Sequence, residues 1–382
     1  MGWGTLMRYI LSKHSLAHGD PNRKGRLRRQ RACRGMIGRV EPSLPLRARD
    51  YLLDPSRMEA GWTDWDRPLG LLDLAATPAA VPLAVLPPWP LIGVGDRAHP
   101  LAASLDALLE PPISAEALIR QCERAPRSAA IAVQLLRSIE GMPRERALTL
   151  ESFCYGLLQG SREHAAWLAS QTPPAQRSPA GGLVVERHGS TLSVVIDRPA
   201  ARNAIDRALR DQLCEAFALA VLDPEIQTLK LRTVGPVFST GGDLEEFGTT
   251  RDPATAHLIR SRTLPALAIA PRASILDVHV QGACIGAGLE IAALAGRLTA
   301  EPDAWFQLPE LTMGLIPGAG GCVSVPGRIG RQRAALMMLS GRRVSCEVAL
   351  RWGLIDEIVS SRPSTAEGLG SSAGRPDVPV NG

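Results

Sequence analysis

The chain has 382 residues, of which 45% are hydrophobic and 21% charged, so it is long enough for two domains and can bury a sizeable core. Aromatic residues make up only 4%, which argues against a protein that stacks nucleic-acid bases on its rings. The longest apolar stretch, residues 79–94, is interrupted by four prolines and predicts no membrane span. The seven cysteines include no C-x-x-C pair, so we expect reduced thiols in a cytoplasmic protein and no metal site.

Positive charge is concentrated at the N terminus. Residues 1–57 hold 13 Arg and Lys against 4 Asp and Glu, whereas the rest of the chain holds 30 against 34. We predict that residues 1–57 form a disordered basic arm, because they show no sustained helical or strand period. Three interpretations stay open: contact with a polyanion such as RNA, a cleaved targeting peptide, or unstructured sequence upstream of a start at Met58. Nucleic-acid binding is not expected outside the arm.

Residues 58–171 follow a mainly helical pattern after a proline-rich opening. Two short strands are predicted here, at residues 83–86 and 91–94. We interpret His164 as a surface or packing residue and expect no catalytic residue in this region. The pattern therefore predicts a small N-terminal helical domain, and the prolines and glycines of residues 172–182 predict a linker after it.

Three helices are predicted within that region. Ser128 is placed as the cap of a helix that ends near Gly141, and residues 144–159 form the next helix. Ser161 is placed as the cap of the last one.

Residues 183–359 alternate between strand and helix patterns, which is typical of a covered α/β sheet. A β-rich run at residues 191–197 precedes a helix, and further strands are predicted at residues 229–231 and 278–280. The four apolar residues of that helix recur at four-residue spacing: Ile205, Leu209, Leu213 and Phe217. Residues 360–382 are rich in Ser, Gly and Pro and are predicted to be a disordered tail.

Two glycine-rich turns are candidates for binding through backbone N–H groups. Gly241 and Gly242 follow a strand end, and Asp243 is predicted to begin a helix. The run Gly286-Ala287-Gly288 opens another helix, whose free N–H groups point toward any anion placed there. Taken alone, the first turn is more typical of an ordinary connection between a strand and a helix.

Two glutamates are candidates for acid–base chemistry. Glu290 lies in the first turn of the second helix, where compensation of the helix dipole is the commoner role of an acidic residue. Glu310 follows a proline in an apolar stretch, where a carboxylate is costly unless it has a function or a partner.

Together these segments resemble the crotonase superfamily, the enoyl-CoA hydratases and isomerases. The matching motifs appear in family order over about 180 residues. They are Arg198-Pro199, Arg202-Asn203-Ala204, Phe238-Ser-Thr-Gly-Gly-Asp243, Gly282, Gly286-Ala-Gly-Leu-Glu290, Leu308-Pro-Glu310, Pro317-Gly-Ala-Gly-Gly321 and Trp352-Gly-Leu-Ile-Asp-Glu-Ile-Val359.

The resemblance implies an α/β fold, a crotonase-like spiral of ββα units, here with the N-terminal mainly helical domain. It also implies an acyl-CoA thioester substrate, a lyase activity in fatty acid metabolism, and no separate cofactor, because coenzyme A is part of the substrate. The family forms homo-oligomers, so a trimer or a dimer of trimers is expected.

The resemblance also implies residue roles. The amides of Thr240 and Ala287 would form the oxyanion hole, Glu290 would act as base and Glu310 as acid. Paired glutamates favour an enoyl-CoA hydratase, since an isomerase needs only one. The substrate-binding residues implied are Arg202, Ala204, Gly241, Gly242, Asp243, Gly286, Pro317 and Gly318.

Two departures from the family leave alternatives open. The family continues past the Trp352 motif into helices that close the acyl pocket, whereas this chain becomes a polar tail at Ser360. Either residues 58–171 replace those helices, or the chain is truncated and inactive. The helical extension is similar to that of the dioxygenase branch acting on dihydroxyphenylacetyl-CoA, although the two glutamates argue against that branch. Isomerase, hydrolase and RNA-binding functions are the further alternatives.

Overall fold

The computed structural model describes residues 46–56, 65–79, 85–172 and 178–360. The predictions for residues 1–45, Met58 and the tail from residue 361 lie outside this range. Residues 83 and 84 of the strand predicted at residues 83–86, and residues 173–177 of the linker, lie outside it as well.

The elements of the described residues follow in chain order. The strands are β1 (Gly70–Asp73), β2 (Leu91–Val94), β3 (Ala107–Leu108), β4 (Gly182–His188), β5 (Thr191–Asp197), β6 (Thr228–Thr233), β7 (Leu276–Val280), β8 (Ala283–Ile285), β9 (Arg297–Ala300), β10 (Trp305–Gln307), β11 (Val344–Ser345) and β12 (Glu357–Ile358). The α-helices are α1 (Ala115–Arg124), α2 (Pro126–Ser138), α3 (Arg144–Gln159), α4 (Arg162–Ser170), α5 (Arg207–Leu222), α6 (Pro253–Thr263), α7 (Pro265–Ile269), α8 (Ala287–Ala292), α9 (Gly321–Ile329), α10 (Arg331–Ser340) and α11 (Cys346–Trp352).

The largest sheet has six strands in the order β12-β9-β7-β6-β5-β4. All neighbours are parallel except the β4–β5 hairpin at one edge. Alternate residues of β5 and β7 are buried, as expected for strands with one face on the core. The buried residues of these two strands are Leu192, Val194, Ile196, Leu276, Val278 and Val280.

The chain spirals between this sheet and a smaller one of order β11-β10-β8. Strand β7 of the large sheet is followed by β8 of the small sheet and then helix α8. Strand β9 is likewise followed by β10 and, after a connection, by helix α9. After β6, Ser239 makes a single bridge to Cys284 of the small sheet before helix α6. This repetition is the predicted spiral of ββα units, and the fold-class prediction is confirmed.

The N-terminal helical region shares its core with the sheets. It contains a parallel three-stranded sheet, β1-β2-β3, of which only β2 was predicted. One hydrophobic cluster includes Leu118 of α1, Leu148 of α3 and Val278 of β7. The described residues form one compact unit, so the linker at residues 172–182 does not separate two independent cores.

The arm predicted to end at residue 57 is shorter than expected. Residues 46–51 form a turn of 3₁₀ helix, and Tyr51 and Leu53 are buried. Leu52 makes a parallel bridge to Leu71 of β1. The prediction that this end of the arm is disordered is therefore wrong, because its apolar side chains pack on a strand that the sequence pattern did not reveal.

The helix predictions differ in their outcomes. Helix α3 has the predicted bounds, and Ser161 caps α4 by accepting the N–H of His164. Ser128 does not cap α2, because the helix already begins at Pro126, a residue suited to the first helical position. The Ser128 hydroxyl instead donates to Glu163.

Two further predictions concern the cysteines and the absence of a membrane span. Every cysteine in the described part of the chain is a free thiol, as expected. No helix within the described ranges combines the length and hydropathy that crossing a membrane requires.

Helix α4 packs tightly on the turn that follows Glu310. Gly314 has a left-handed φ of 68°, and a Cβ there would lie 2.5 Å from the backbone nitrogen of His164. We expect Gly314→Ala to lower the free energy of unfolding by about 3 kcal/mol, from strained φ and overpacking together. The matched control is Gly327→Ala inside α9, where a Cβ meets nothing within 4 Å. Urea denaturation of both variants checks this, and equal stabilities would contradict it.

Candidate active site

The two predicted glycine turns meet in the structure. Backbone hydrogen bonds join Ile205 N to Gly241 O at 2.8 Å and Asp243 N to Ile205 O at 3.0 Å, so the segment after Arg202 lies along the first turn. A Cβ placed on Gly241 would lie 3.6 Å from the nitrogen of Ala287. The chain therefore brings the Thr240 turn and the start of α8 together, as predicted.

The two predicted oxyanion donors are not equally free. Ala287 is the first residue of α8, so its N–H has no acceptor within the helix. The N–H of Thr240 donates to the carbonyl oxygen of Arg202 at 3.2 Å, the long end of the hydrogen-bond range. Arg202 itself is exposed, with a left-handed φ of 51°. Thr240 and Ala287 are both partly exposed.

Glu310 lies beside this junction. A Cβ on Gly286 would lie 2.7 Å from Oε1 of Glu310, so only glycine, with its φ of 49°, fits between the carboxyl and the turn. Glu310 is 8% exposed, and its Oε2 has no hydrogen-bond partner among the described residues. Burial, followed by the negative charge of Glu290, raises the pKa of Glu310 well above its ordinary value. This carboxyl is therefore set to hold a proton.

Glu290 is also buried, but backbone amides donate hydrogen bonds to its carboxylate. Its Oε2 accepts the N–H groups of Ala319 at 2.6 Å and Gly321 at 2.7 Å. Burial raises the pKa of Glu290 to about 7, and the amide hydrogen bonds oppose that rise. Glu290 therefore ionises near neutral pH, and the surroundings of Glu310 favour its protonated form. Pro317 and Gly318 begin the loop that supplies these amides.

A third buried carboxylate, Glu151 of helix α3, belongs to the same site. Its Oε1 accepts the N–H of Gly320 and its Oε2 the N–H of Cys322, each at 2.8 Å. Burial and the charge of Glu290 raise the pKa of Glu151 well above its ordinary value. The helical region therefore places a buried carboxyl on the same loop as Glu290, which the sequence pattern does not indicate.

Tyr155, one turn along α3, also faces the loop. A Cβ on Gly318 would lie 2.2 Å from the Tyr155 ring. The guanidinium of Arg260, on α6, lies 4.6 Å from the centroid of that ring. Arg260 is held by Ser152 and by Gln159, both on α3. Burial raises the pKa of Tyr155, so its hydroxyl stays protonated at neutral pH.

Asp243, predicted to bind substrate, supports the first turn instead. Its Oδ2 lies 2.7 Å from the buried guanidinium of Arg198, and its Oδ1 accepts the N–H of Glu245. Asp206 also pairs with Arg198, at 3.3 Å. Held by Arg198 and by the N–H of Glu245, the buried Asp243 carboxylate stabilises the backbone between strand and helix. The helix start predicted at Asp243 is confirmed as a short 3₁₀ segment.

Helix α4 lies against the far side of Glu310. Buried His164 contacts Met313 O through Nδ1 at 2.8 Å, which confirms that it is a packing residue. The His164 ring stacks on Trp167, and Trp167 meets Phe247 edge-on at 5.7 Å between centroids. These rings join α4 to the loop that follows the first glycine turn. In the parts of the chain that the structure describes, no group of His, Cys, Asp and Glu has a geometry suited to a metal ion.

Comparison with known proteins identifies relatives of this site-bearing segment. A family model described as "Enoyl-CoA hydratase/isomerase" matches residues 186–367. The 2,3-dehydroadipyl-CoA hydratase of Escherichia coli is 33% identical over 179 residues, which cover 47% of this chain and 69% of the relative. The carnitinyl-CoA dehydratase of Citrobacter koseri is 32% identical over 183 residues, covering 46% and 67%. A solved enoyl-CoA hydratase from Thermoplasma volcanium is 31% identical, covering 46% and 71%, with a TM-score of 0.42. Glu290 and Glu310 lie inside the segment matched by the family model, and Glu151 lies outside it.

Proposed function

The chain belongs to the enoyl-CoA hydratase/isomerase family, and from this premise we propose that it adds water to a 2-enoyl-CoA thioester. The observation that carries the proposal is the pair of buried carboxyls, Glu290 and Glu310, beside the junction of the two glycine turns. Hydration needs one group to activate water and another to protonate carbon, whereas isomerisation needs one carboxylate. The relatives named as hydratase and dehydratase support the same reaction class.

The first step places the thioester carbonyl at the glycine junction. Its oxygen would accept the N–H of Ala287 and would displace the Arg202 carbonyl as acceptor for the N–H of Thr240. Two such donors stabilise the enolate oxygen, and the loss of one costs about 3–4 kcal/mol of transition-state stabilisation. The hydrogen bond from the N–H of Thr240 to the carbonyl oxygen of Arg202 is long, at 3.2 Å. Replacing this acceptor by the thioester oxygen therefore costs little free energy.

The protons then move between water, the two glutamates and the substrate. Ionised Glu290 takes a proton from water while the water oxygen bonds to C3, and the electrons of the C2–C3 double bond move onto the thioester oxygen. Protonated Glu310 then donates to C2 as the carbonyl forms again. The assignment follows the carboxyl environments: the amides of Ala319 and Gly321 favour ionised Glu290, and burial favours protonated Glu310.

To test the proposal, the full chain is incubated with crotonyl-CoA and longer 2-enoyl-CoA substrates in water labelled with oxygen-18. We expect 3-hydroxyacyl-CoA that carries one labelled oxygen. Conversion of a 3-enoyl-CoA without label would indicate an isomerase, and release of free coenzyme A would indicate a hydrolase. Either result, without labelled hydroxyacyl product, would contradict the proposal. The homo-oligomer and the cytoplasmic location stay predictions.

A further inference from the structure

Two carboxylates share one short stretch of backbone in an alternating pattern. The amides of Ala319 and Gly321 donate to Glu290, and the amides of Gly320 and Cys322 donate to Glu151. These four consecutive N–H groups lead into helix α9, whose first-turn amides have no intrahelical acceptors. Every one of the four bonds is between 2.6 and 2.8 Å.

We propose that Glu151 is a positioning residue for the acid–base pair: it fixes the 319–322 backbone so that Ala319 and Gly321 aim their amides at Glu290. This inference rests on the proposed hydratase function. Glu151 lies on a helix outside the segment that the family model matches, so the N-terminal helical region is part of the catalytic unit.

Glu151 orients the peptide planes of this loop together with the start of α9, where Gly320 O accepts the N–H groups of Val323 at 3.1 Å and Ser324 at 2.8 Å. Residues 318–321 consist of three glycines and one alanine, so their side chains cannot set the orientation of the amides. A buried N–H without an acceptor costs about 1–3 kcal/mol. Without Glu151, the Gly320 and Cys322 peptides gain by turning toward other acceptors. This rotation also moves the N–H of Gly321, which lies between them, and that of the preceding Ala319 away from Glu290.

Glu151 is itself held firmly. It is 1% exposed, and its neighbours on α3, Leu148 and Leu158, are buried in the shared core. Helix α6 packs beside α3 and is tied to it by the hydrogen bonds of Arg260 to Ser152. The backbone of Glu151 is fixed by the packing of α3, and its carboxylate is bound to the loop amides. The position of helix α3 therefore determines where these amides lie.

Glu151 also acts on the charges of the site. Among the described residues, the titratable groups that face Glu310 are Glu290 of α8, Glu151 and Tyr155 of α3 and Cys322 of α9, with the Arg260 guanidinium beyond the Tyr155 ring. The charges of Glu290 and Glu151 both raise the pKa of Glu310. The amides of the loop lower the pKa of Glu290. Removal of Glu151 therefore moves the two pKa values toward each other.

The experiment compares Glu151→Gln with Glu145→Gln, a change at an exposed position on the same helix. Glutamine keeps one acceptor but turns an NH₂ group toward a backbone N–H. We expect Glu151→Gln to lower kcat for crotonyl-CoA about 100-fold, as misplacement by about 1 Å does, with KM changed far less. In Glu151→Gln, the pH range of high kcat should become narrower, because the acidic limb moves to higher pH and the basic limb to lower pH. The pH profile of Glu145→Gln should match that of wild type.

A merely structural role has a different signature. If Glu151 had only a structural role, Glu151→Gln would contain less folded protein. Its kcat would then be lower by the same factor at every pH, with neither limb moved, and that result would overturn the proposal. If Glu151→Gln does not fold, Glu151→Asp keeps the charge but shortens the side chain. Only the acidic limb, which Glu290 sets, is then expected to move, and an unmoved acidic limb would overturn the proposal.

Amide hydrogen exchange separates this inference from the hydratase proposal. Peptides that cover residues 319–322 should exchange faster in Glu151→Gln than in wild type, and Glu145→Gln should leave them unchanged. This outcome is expected whichever reaction the wild-type chain catalyses. Unchanged exchange in this loop would overturn the positioning role even if hydration is confirmed.

Discussion

Glu310→Gln is expected to lower hydration turnover by about 10²–10⁴-fold, the range of a lost general acid. Gln has the same shape but no proton that it can donate to C2. The substitution should leave the first glycine turn intact, because Oε2 of Glu310 has no hydrogen-bond partner among the described residues. Steady-state kinetics with crotonyl-CoA measure the effect. Turnover within threefold of wild type would remove Glu310 from the mechanism.

The same substitution should change how stability depends on pH. A carboxyl whose pKa is raised in the folded state contributes stability that is complete below its unfolded pKa and lost as the pH rises through the folded value. Burial and the charge of Glu290 raise the pKa of Glu310 in this way. Between about pH 5 and pH 9, the free energy of unfolding should therefore fall less in Glu310→Gln than in wild type. Urea titrations at both pH values test this, with Glu145→Gln expected to behave as wild type.

The site residues that the sequence predicts are those marked by a pattern of a few consecutive residues. Gly286 and Gly241 are needed where the backbone takes a positive φ, and Glu290 stands at a fixed distance from the helix start that it shares with Ala287. Such features depend on a few consecutive residues, so a motif records them. Glu310 is recognisable for the same reason, as a carboxyl in an apolar stretch.

Glu151 shows what local signals cannot predict. Its bonds to Gly320 and Cys322 span 169 and 171 positions, so no spacing in the sequence connects them. A weaker signal was present: Glu151 lies on the same helical stripe as Leu148 and Leu158, three and seven residues away, and this stripe is buried. A charged residue on a buried stripe indicates a partner, but the pattern cannot say which one.

The N-terminal sheet was missed for a related reason. Strands β1 and β3 are only four and two residues long, and they are buried by contacts with distant segments such as α10. Arg137 pairs there with Asp106, whose other neighbour is Arg331 at the start of α10. Short buried strands have no alternation to detect, so tertiary contacts decide their conformation.

The position of the helical region bears on how the site is enclosed. Helix α3 supplies Glu151 and Tyr155, and α4 packs on the turn that carries Glu310. Both helices precede the segment matched by the family model. The N-terminal region therefore contributes helices to this side of the site.

Glu290→Gln is expected to be the most damaging single change. It removes the base that activates water, at a cost of about 10²–10⁴-fold. It also turns an NH₂ group toward the amides of Ala319 and Gly321, which now donate to the carboxylate. In wild type the pKa of Glu290 is about 7 and the ionised form is active, so turnover should rise with pH through about 7. Glu290→Gln should lose this acidic limb, and the exposed Glu215→Gln should retain it.

Proton exchange at C2 distinguishes the roles of the two glutamates. In the reverse reaction the ionised Glu310 removes the C2 proton, and the enolate charge rests on the Thr240 and Ala287 amides. Neither step requires Glu290. In deuterated water, Glu290→Gln should therefore still exchange the C2 protons of a 3-hydroxyacyl-CoA while forming almost no hydration product. Glu310→Gln should lose both activities. If Glu290→Gln hydrates normally and loses exchange instead, the base and acid assignments are reversed.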